Sequence, residues 1–102
     1  MHKLFHSNYY EAIIQLRPLK KEVLEFVVNQ IDKRKDVFIS KKEPLKTGID
    51  IYVSSQRFAR SLGKMLKERF KGELTISKSI YKRDRQTSRE IYRATVLFRL
   101  KE

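Results

Sequence analysis

The sequence predicts an α+β two-layer sandwich, on three observations. Four segments alternate apolar and polar residues with the two-residue period of a half-buried strand, and a fifth is a short apolar run. Two further segments repeat their apolar residues at i, i+3 and i+4, the period of a helix packed on one side. In chain order these run strand, helix, strand, strand, helix, strand, strand, which places helices and strands in two layers around one core. With 102 residues, 40% of them hydrophobic, the chain has material for such a core without staples. It holds no cysteine, which excludes disulfides, thiolate zinc sites and cysteine nucleophiles.

Strand 1 is read in residues 9–17, where Tyr10, Ala12, Ile14 and Leu16 share one face. Pro18 ends it and suits the first turn of helix 1, whose Val23, Leu24, Val27, Val28 and Ile31 recur at helical spacing as far as Lys33. The charged break Lys33 to Asp36 leads into a short strand 2, Val37-Phe38-Ile39, and then into a polar connection containing Pro44 and Gly48. In strand 3, Ile49, Ile51 and Val53 alternate with Asp50, Tyr52 and Ser54, so one face is apolar and the other polar. Ser54 and Ser55 are capping residues ahead of helix 2, with Phe58, Ala59, Leu62, Met65, Leu66 and Phe70 on its apolar side and Gly72 just past its end. From Glu73 the two-residue period returns in strands 4 and 5, a long hairpin with a seven-residue polar turn from Arg83 to Arg89. The order fits a ferredoxin-like βαββαβ core with an extra C-terminal strand, both helices on one face of a mostly antiparallel sheet. Residues 1–8 are expected to be a flexible N-terminus and 9–102 a single α+β domain, with no internal repeat.

Charge narrows the function. The net charge is +12, and it is uneven: residues 1–51 hold 10 basic and 7 acidic groups, residues 52–102 hold 14 and 5. Such an excess fits a polyanionic partner, nucleic acid ahead of a membrane surface. The N-terminus lacks an apolar signal region, and no apolar run approaches the roughly 20 residues of a membrane span, so the chain is expected in the cytoplasm without a membrane partner.

The sharpest feature lies on helix 2. At about 100° per residue, Arg57, Arg60, Lys64, Lys67 and Lys71 fall in one narrow stripe opposite the apolar side. Glu68 is their only acidic neighbour; solvated helix faces usually mix signs, whereas these five cations repel one another, which points to phosphate binding over a merely soluble face. The hairpin tip adds Lys82, Arg83, Arg85 and Arg89, whose guanidinium forks suit phosphate oxygens, although an exposed turn has the same composition. Base stacking of the RNA-recognition-motif kind is not expected, because Lys46 to Ile51 and Ile13 to Leu16 put aliphatic residues where that mode needs rings. Catalysis has little support: a metal-dependent nuclease would need Asp36, Glu43 and Asp50 to converge, and His2 and His6 stand alone in a loose terminus. No cofactor, metal or small-molecule substrate is expected.

Two stretches carry a resemblance: Tyr9 to Arg17, and Gly48-Ile49-Asp50-Ile51-Tyr52-Val53-Ser54-Ser55 followed by Phe58-Ala59-Arg60. With Ser77-Lys78, Asp84-Arg85 and the closing Tyr92 to Leu100, they resemble the Nmd-three family of large-ribosomal-subunit export and maturation adapters, archaeal members above all, over residues 9 to 100. The resemblance implies a non-catalytic, ribosome-biogenesis module that docks on the large ribosomal subunit and contacts ribosomal RNA and ribosomal proteins. The family's Cys-x-x-Cys zinc elements, its SH3-like and OB-like parts and the leucine-rich eukaryotic export tail do not occur. The chain is therefore expected to be an excised domain or a short stand-alone relative, without zinc binding or export. Gly48, Asp50, Tyr52, Ser54 and Ser55 form the family signature, and turn, strand-face and cap roles would explain them as well as RNA contact would. The competing expectations are a module that grips a ribosomal protein or assembly factor through the polar sheet face near Tyr52, and an RNA nuclease.

Overall fold

A computed structural model describes residues 9–84, 86 and 89–101, with the backbone alone for 81–84 and 89–91. The segment 1–8 lies outside the described residues. The elements are β1 (Ala12–Arg17), α1 (Lys21–Asp32), β2 (Ile39–Leu45), β3 (Gly48–Val53), α2 (Gln56–Arg69), β4 (Gly72–Asp84) and β5 (Arg89–Leu100). They form one five-stranded sheet in the order β2-β3-β1-β5-β4, antiparallel except where β1 and β5 run parallel. The α+β class, the mostly antiparallel sheet and the βαββαβ order with an extra C-terminal strand match the sequence-based expectation.

The last strand does not extend the sheet at its edge. β5 enters between β1 and β4, where Ala94, Val96 and Phe98 are fully buried, while β4, with Thr75, Ser77, Lys78 and Ser79 exposed, takes the outside position. The strand with the most apolar inner face occupies the site covered on both flanks, and the more polar strand meets solvent.

Register sorts the two faces. Ile14 pairs with Ile51 on one side and Val96 on the other, and Leu16 with Ile49 and Phe98, so these side chains form a continuous apolar layer. Both helices cover it: Val23, Val27 and Ile31 of α1 and Phe58, Ala59, Leu62 and Leu66 of α2 belong to the same core. The α2 seat is close because Gly63 faces the sheet, where a β-carbon would come within 2.7 Å of Val96 and 2.9 Å of Leu74. The opposite sheet face, with Ile13, Gln15, Arg17, Asp50, Tyr52, Thr95 and Leu97, has no helix over it.

Several expectations are corrected. Tyr10 does not share the face of Ala12: the chain bends at Glu11, and the Tyr10 ring meets Tyr52 on the helix-free side. Pro18 precedes α1, which begins at Lys21 after the Lys20 N-cap. Strand 2 is displaced towards the C-terminus: the polar stretch from Ser40 is itself strand, and only Lys46 and Thr47 turn the chain into β3. An edge strand needs only one apolar side and one row of hydrogen bonds, so polar residues and Pro44 are tolerated there, with a bulge between Ile39 and Lys41. The β4–β5 ladder continues to the pair Asp84 and Arg89, which shortens the hairpin connection from seven residues to four.

Gly48 opens β3 beneath β1, and a methyl group there would overlap the Leu16 carbonyl oxygen and lie 2.9 Å from Arg17 Cδ. Relief would require parting two central strands. Gly48→Ala is expected to lower stability by about 2 kcal/mol, read as a lower urea midpoint at unchanged denaturant slope.

Candidate functional site

The outer face of α2 bears the cations that the helical wheel groups. Arg57, Lys64 and Lys67 are exposed, and Arg60 is half-buried with its guanidinium donating to Gln56 Oε1 at 3.4 Å. Lys71 leaves the stripe: α2 ends at Arg69, and Lys71 lies in the link to β4, its carbonyl accepting from the Lys101 N–H at 2.8 Å. The helix ends early because Phe70 turns extended to pack against Phe26, ring centres 5.8 Å apart.

The first turn of α2 contains no acidic residue, although a helix N-terminus favours negative charge. The compensation comes from elsewhere in the chain. Glu11 accepts the Gln56 N–H through Oε1 at 2.9 Å, and Ser55 Oγ accepts the Phe58 N–H at 3.1 Å. Arg57 and Arg60 can therefore occupy the first turns without an acidic neighbour on the same helix.

This end of α2 also meets the hairpin. Gln56 Nε2 donates to the Tyr92 carbonyl at 3.4 Å, close to where β5 parts from β1 at the pair Ala12 and Ala94. Beyond that point β4 and β5 pair only with each other and project as a two-stranded ribbon. Lys78 lies 4.6 Å from the centre of the Tyr92 ring at its base, and Ile80 is exposed. Of the four cations expected at the tip, Lys82, Arg83 and Arg89 stand on this ladder with side chains outside the description, and Arg85 lies outside the described residues.

The signature residues each have a structural employment. Gly48 permits the close approach to Leu16. Asp50, 7% exposed, accepts from Arg17 at 2.5 Å, and the same guanidinium donates to the Leu16 and Ile49 carbonyls. Tyr52 packs edge-on against Tyr10 at 4.8 Å and donates to Glu43 at 3.4 Å. Ser54 Oγ accepts the Phe38 N–H at 2.9 Å, tying the entry of β2 to the end of β3, and Ser55 caps α2.

The helix-free face adds residues that sequence reasoning missed. Arg93 stacks on Tyr10, its guanidinium carbon 3.8 Å from the ring centre, and its Nε donates to the Tyr10 carbonyl. Lys41 stands 5.3 Å from the Tyr52 ring centre. The row Arg93, Tyr10, Tyr52, Lys41 thus runs from β5 past the residue pair ahead of β1 to the β3–β2 hairpin, three segments distant in sequence, and no local motif announces it. Asp36 pairs with Arg34, Glu43 with Tyr52 and Lys41, and Asp50 with Arg17. Among the described residues, no three His, Cys, Asp or Glu side chains are placed to hold one metal ion.

Two phenols are held protonated. Accepting its hydroxyl, Glu11 pushes Tyr9 up to about 12, and burial aided by Glu43 and Asp50 raises Tyr52. The Tyr9 contribution to stability is complete below the ordinary tyrosine value of 10.0 and is lost as pH rises towards about 12, and the Tyr52 contribution is lost in the same direction, because the unfolded phenols ionise first. The urea midpoint should fall across this window, and fall less in Glu11→Gln. Asp50→Leu should cost about 3 kcal/mol by leaving Arg17 unpaired, and adding Arg17→Met should recover most of it.

Comparison with known proteins adds one finding. No curated protein matches the chain. The family model described as "NMD3, second domain" matches residues 9–100, from the tyrosines ahead of β1 to the last residue of β5. That match covers every element described above, and the chain belongs to the NMD3 family, a family related to ribosome biogenesis.

Proposed function

We propose that the chain is a non-catalytic module that docks on the large ribosomal subunit in the cytoplasm during its maturation. It binds ribosomal RNA through phosphates, using the outer face of α2 and the β4–β5 ribbon, with little base specificity. One observation carries this: Arg57, Arg60, Lys64 and Lys67 form a basic helix face, with Glu68 the one acidic residue beside it, whose N-terminal end is fastened to the ribbon through Gln56 and Tyr92. Mutual repulsion along such a face is relieved when phosphates replace its counterions. Family membership supplies the ribosomal context.

A second reading has its own observation. The helix-free sheet face sets the partly exposed Ile13, Leu97 and Tyr52 among polar neighbours, a mixture that suits a ribosomal protein or assembly factor.

Arg60→Glu/Lys64→Glu/Lys67→Glu leaves every core residue in place, so the variant should fold with an unchanged circular dichroism spectrum. Its cosedimentation with purified large subunits should be lost, while wild-type binding falls steeply with salt. Unchanged cosedimentation by the folded variant, surviving nuclease treatment of the subunit, would give the surface to the protein-binding reading.

A further inference from the structure

The two edges of the sheet are built differently. β2, at one edge, is blunted by Pro44, by the bulge between Ile39 and Lys41, and by Lys41 and Lys42, all devices that hinder the addition of a further strand. From Gly72 to Ile80, β4 at the other edge has no proline, no bulge and one lysine, Lys78. Thr75, Ile76 and Ile80 there are strand formers, and the whole stretch from Thr75 to Ile80 is exposed.

Two hydrogen bonds fix which backbone groups of β4 face away from the sheet. The Lys101 N–H donates to the Lys71 carbonyl at 2.8 Å, so by the alternation of an antiparallel ladder Glu73 bonds Arg99, Thr75 bonds Leu97 and Ser77 bonds Thr95. The Ala94 N–H donates to the Glu11 carbonyl at 2.9 Å, turned away from Lys78, its pair on β4. Leu74, Ile76 and Lys78 therefore direct their N–H and C=O groups outwards, where the sheet ends. Ile76, paired with the buried Val96, is 36% exposed, and Ile80 is 55% exposed, with Lys78 between them on the same side.

We propose that this edge takes an added strand from another protein: an extended, acidic segment with two apolar residues four positions apart and a carboxylate midway. The apolar pair covers Ile76 and Ile80, the carboxylate lies opposite Lys78, and main-chain bonds to Leu74, Ile76 and Lys78 hold the segment. The flank of α2 above the strand favours the same charge. Arg60 and Lys67 stand at i−3 and i+4 from Gly63, which faces Leu74 and Val96. Glu73, the acidic residue of this stretch, alternates onto the other face, across from Arg99. A second copy of the chain fits poorly, because the antiparallel register that sets Ile76 against Ile80 also sets Lys78 against Lys78, between two chains of net charge +12. The site goes beyond the RNA-binding reading and stands without it, since main-chain bonds rather than phosphate contacts hold the segment.

The probe is the end-blocked peptide Asp-Thr-Val-Thr-Glu-Thr-Val-Thr-Asp, titrated against the full chain. On binding, hydrogen exchange should slow at the amides of Leu74, Ile76 and Lys78 and change little at Thr75 and Ser77, which already bond β5. N-methylation of one alternate set of peptide amides should weaken binding about tenfold, and methylation of the other set should leave it unchanged. Lys78→Glu should weaken binding about fivefold, and a peptide with Lys in place of the central Glu should recover the loss on that variant. No binding, equal effects of the two methylated sets, or slowed exchange outside β4 alone overturns the proposal. A concentration-dependent dimer of the chain that protects the same amides also overturns it, giving the edge to a second copy. None of these outcomes bears on RNA binding, which cosedimentation of the charge-reversed variant reads separately.

Discussion

The seating of α2 on the sheet is the constraint on which the rest depends. Gly63 lets the helix axis approach Val96 and Leu74, and Leu62 and Leu66 fill the space on either side. Once that contact is made, the rotation of the helix is fixed. Its charged residues cannot turn inwards without carrying the core outwards, so the basic face is a consequence of packing as much as of sequence. The N-terminal end is fixed separately by Glu11, Ser55 and Gln56, which satisfy or bridge its first turn and set it against β5.

Inserting β5 between β1 and β4 has a second consequence. A strand bonded on both sides is held along its whole covered length, but β1 is only six residues long and β5 is twelve. The excess has β4 alone as a neighbour, and so a ribbon must emerge at the end where β1 begins. The parallel β1–β5 pair, unusual in a sheet otherwise antiparallel, is the geometric condition for that projection to leave beside the start of α2.

The signature from Gly48 to Ser55 illustrates how a strand can be rich in recognisable residues and yet serve the fold. Its alternation is faithful: Ile49, Ile51 and Val53 enter the core, while Asp50 and Tyr52 face outwards into an ion pair with Arg17 and a ring contact with Tyr10. Arg17 and Tyr10 were invisible as partners because both lie more than 30 residues away, joined only by the antiparallel register of β1 and β3. The helix-free face is therefore organised by pairs that no spacing rule detects.

Local periodicity in the sequence determined the number and kind of elements, the apolar side of α2, the Ser55 cap and the stripe of Arg57, Arg60, Lys64 and Lys67, because each depends on residues within a few positions of one another. It misplaced β2 and the end of α2. An edge strand may be polar, and a helix stops where a tertiary contact, here Phe70 on Phe26, offers more than another turn. Tertiary structure alone decided that β5 would lie inside the sheet, that Glu11 would cap α2 from across the chain, and that the start of α2 would meet β5 through Gln56 and the Tyr92 carbonyl. These relations are set by strand register and layer packing, which bring together residues whose separation along the chain contains no record of their distance in space.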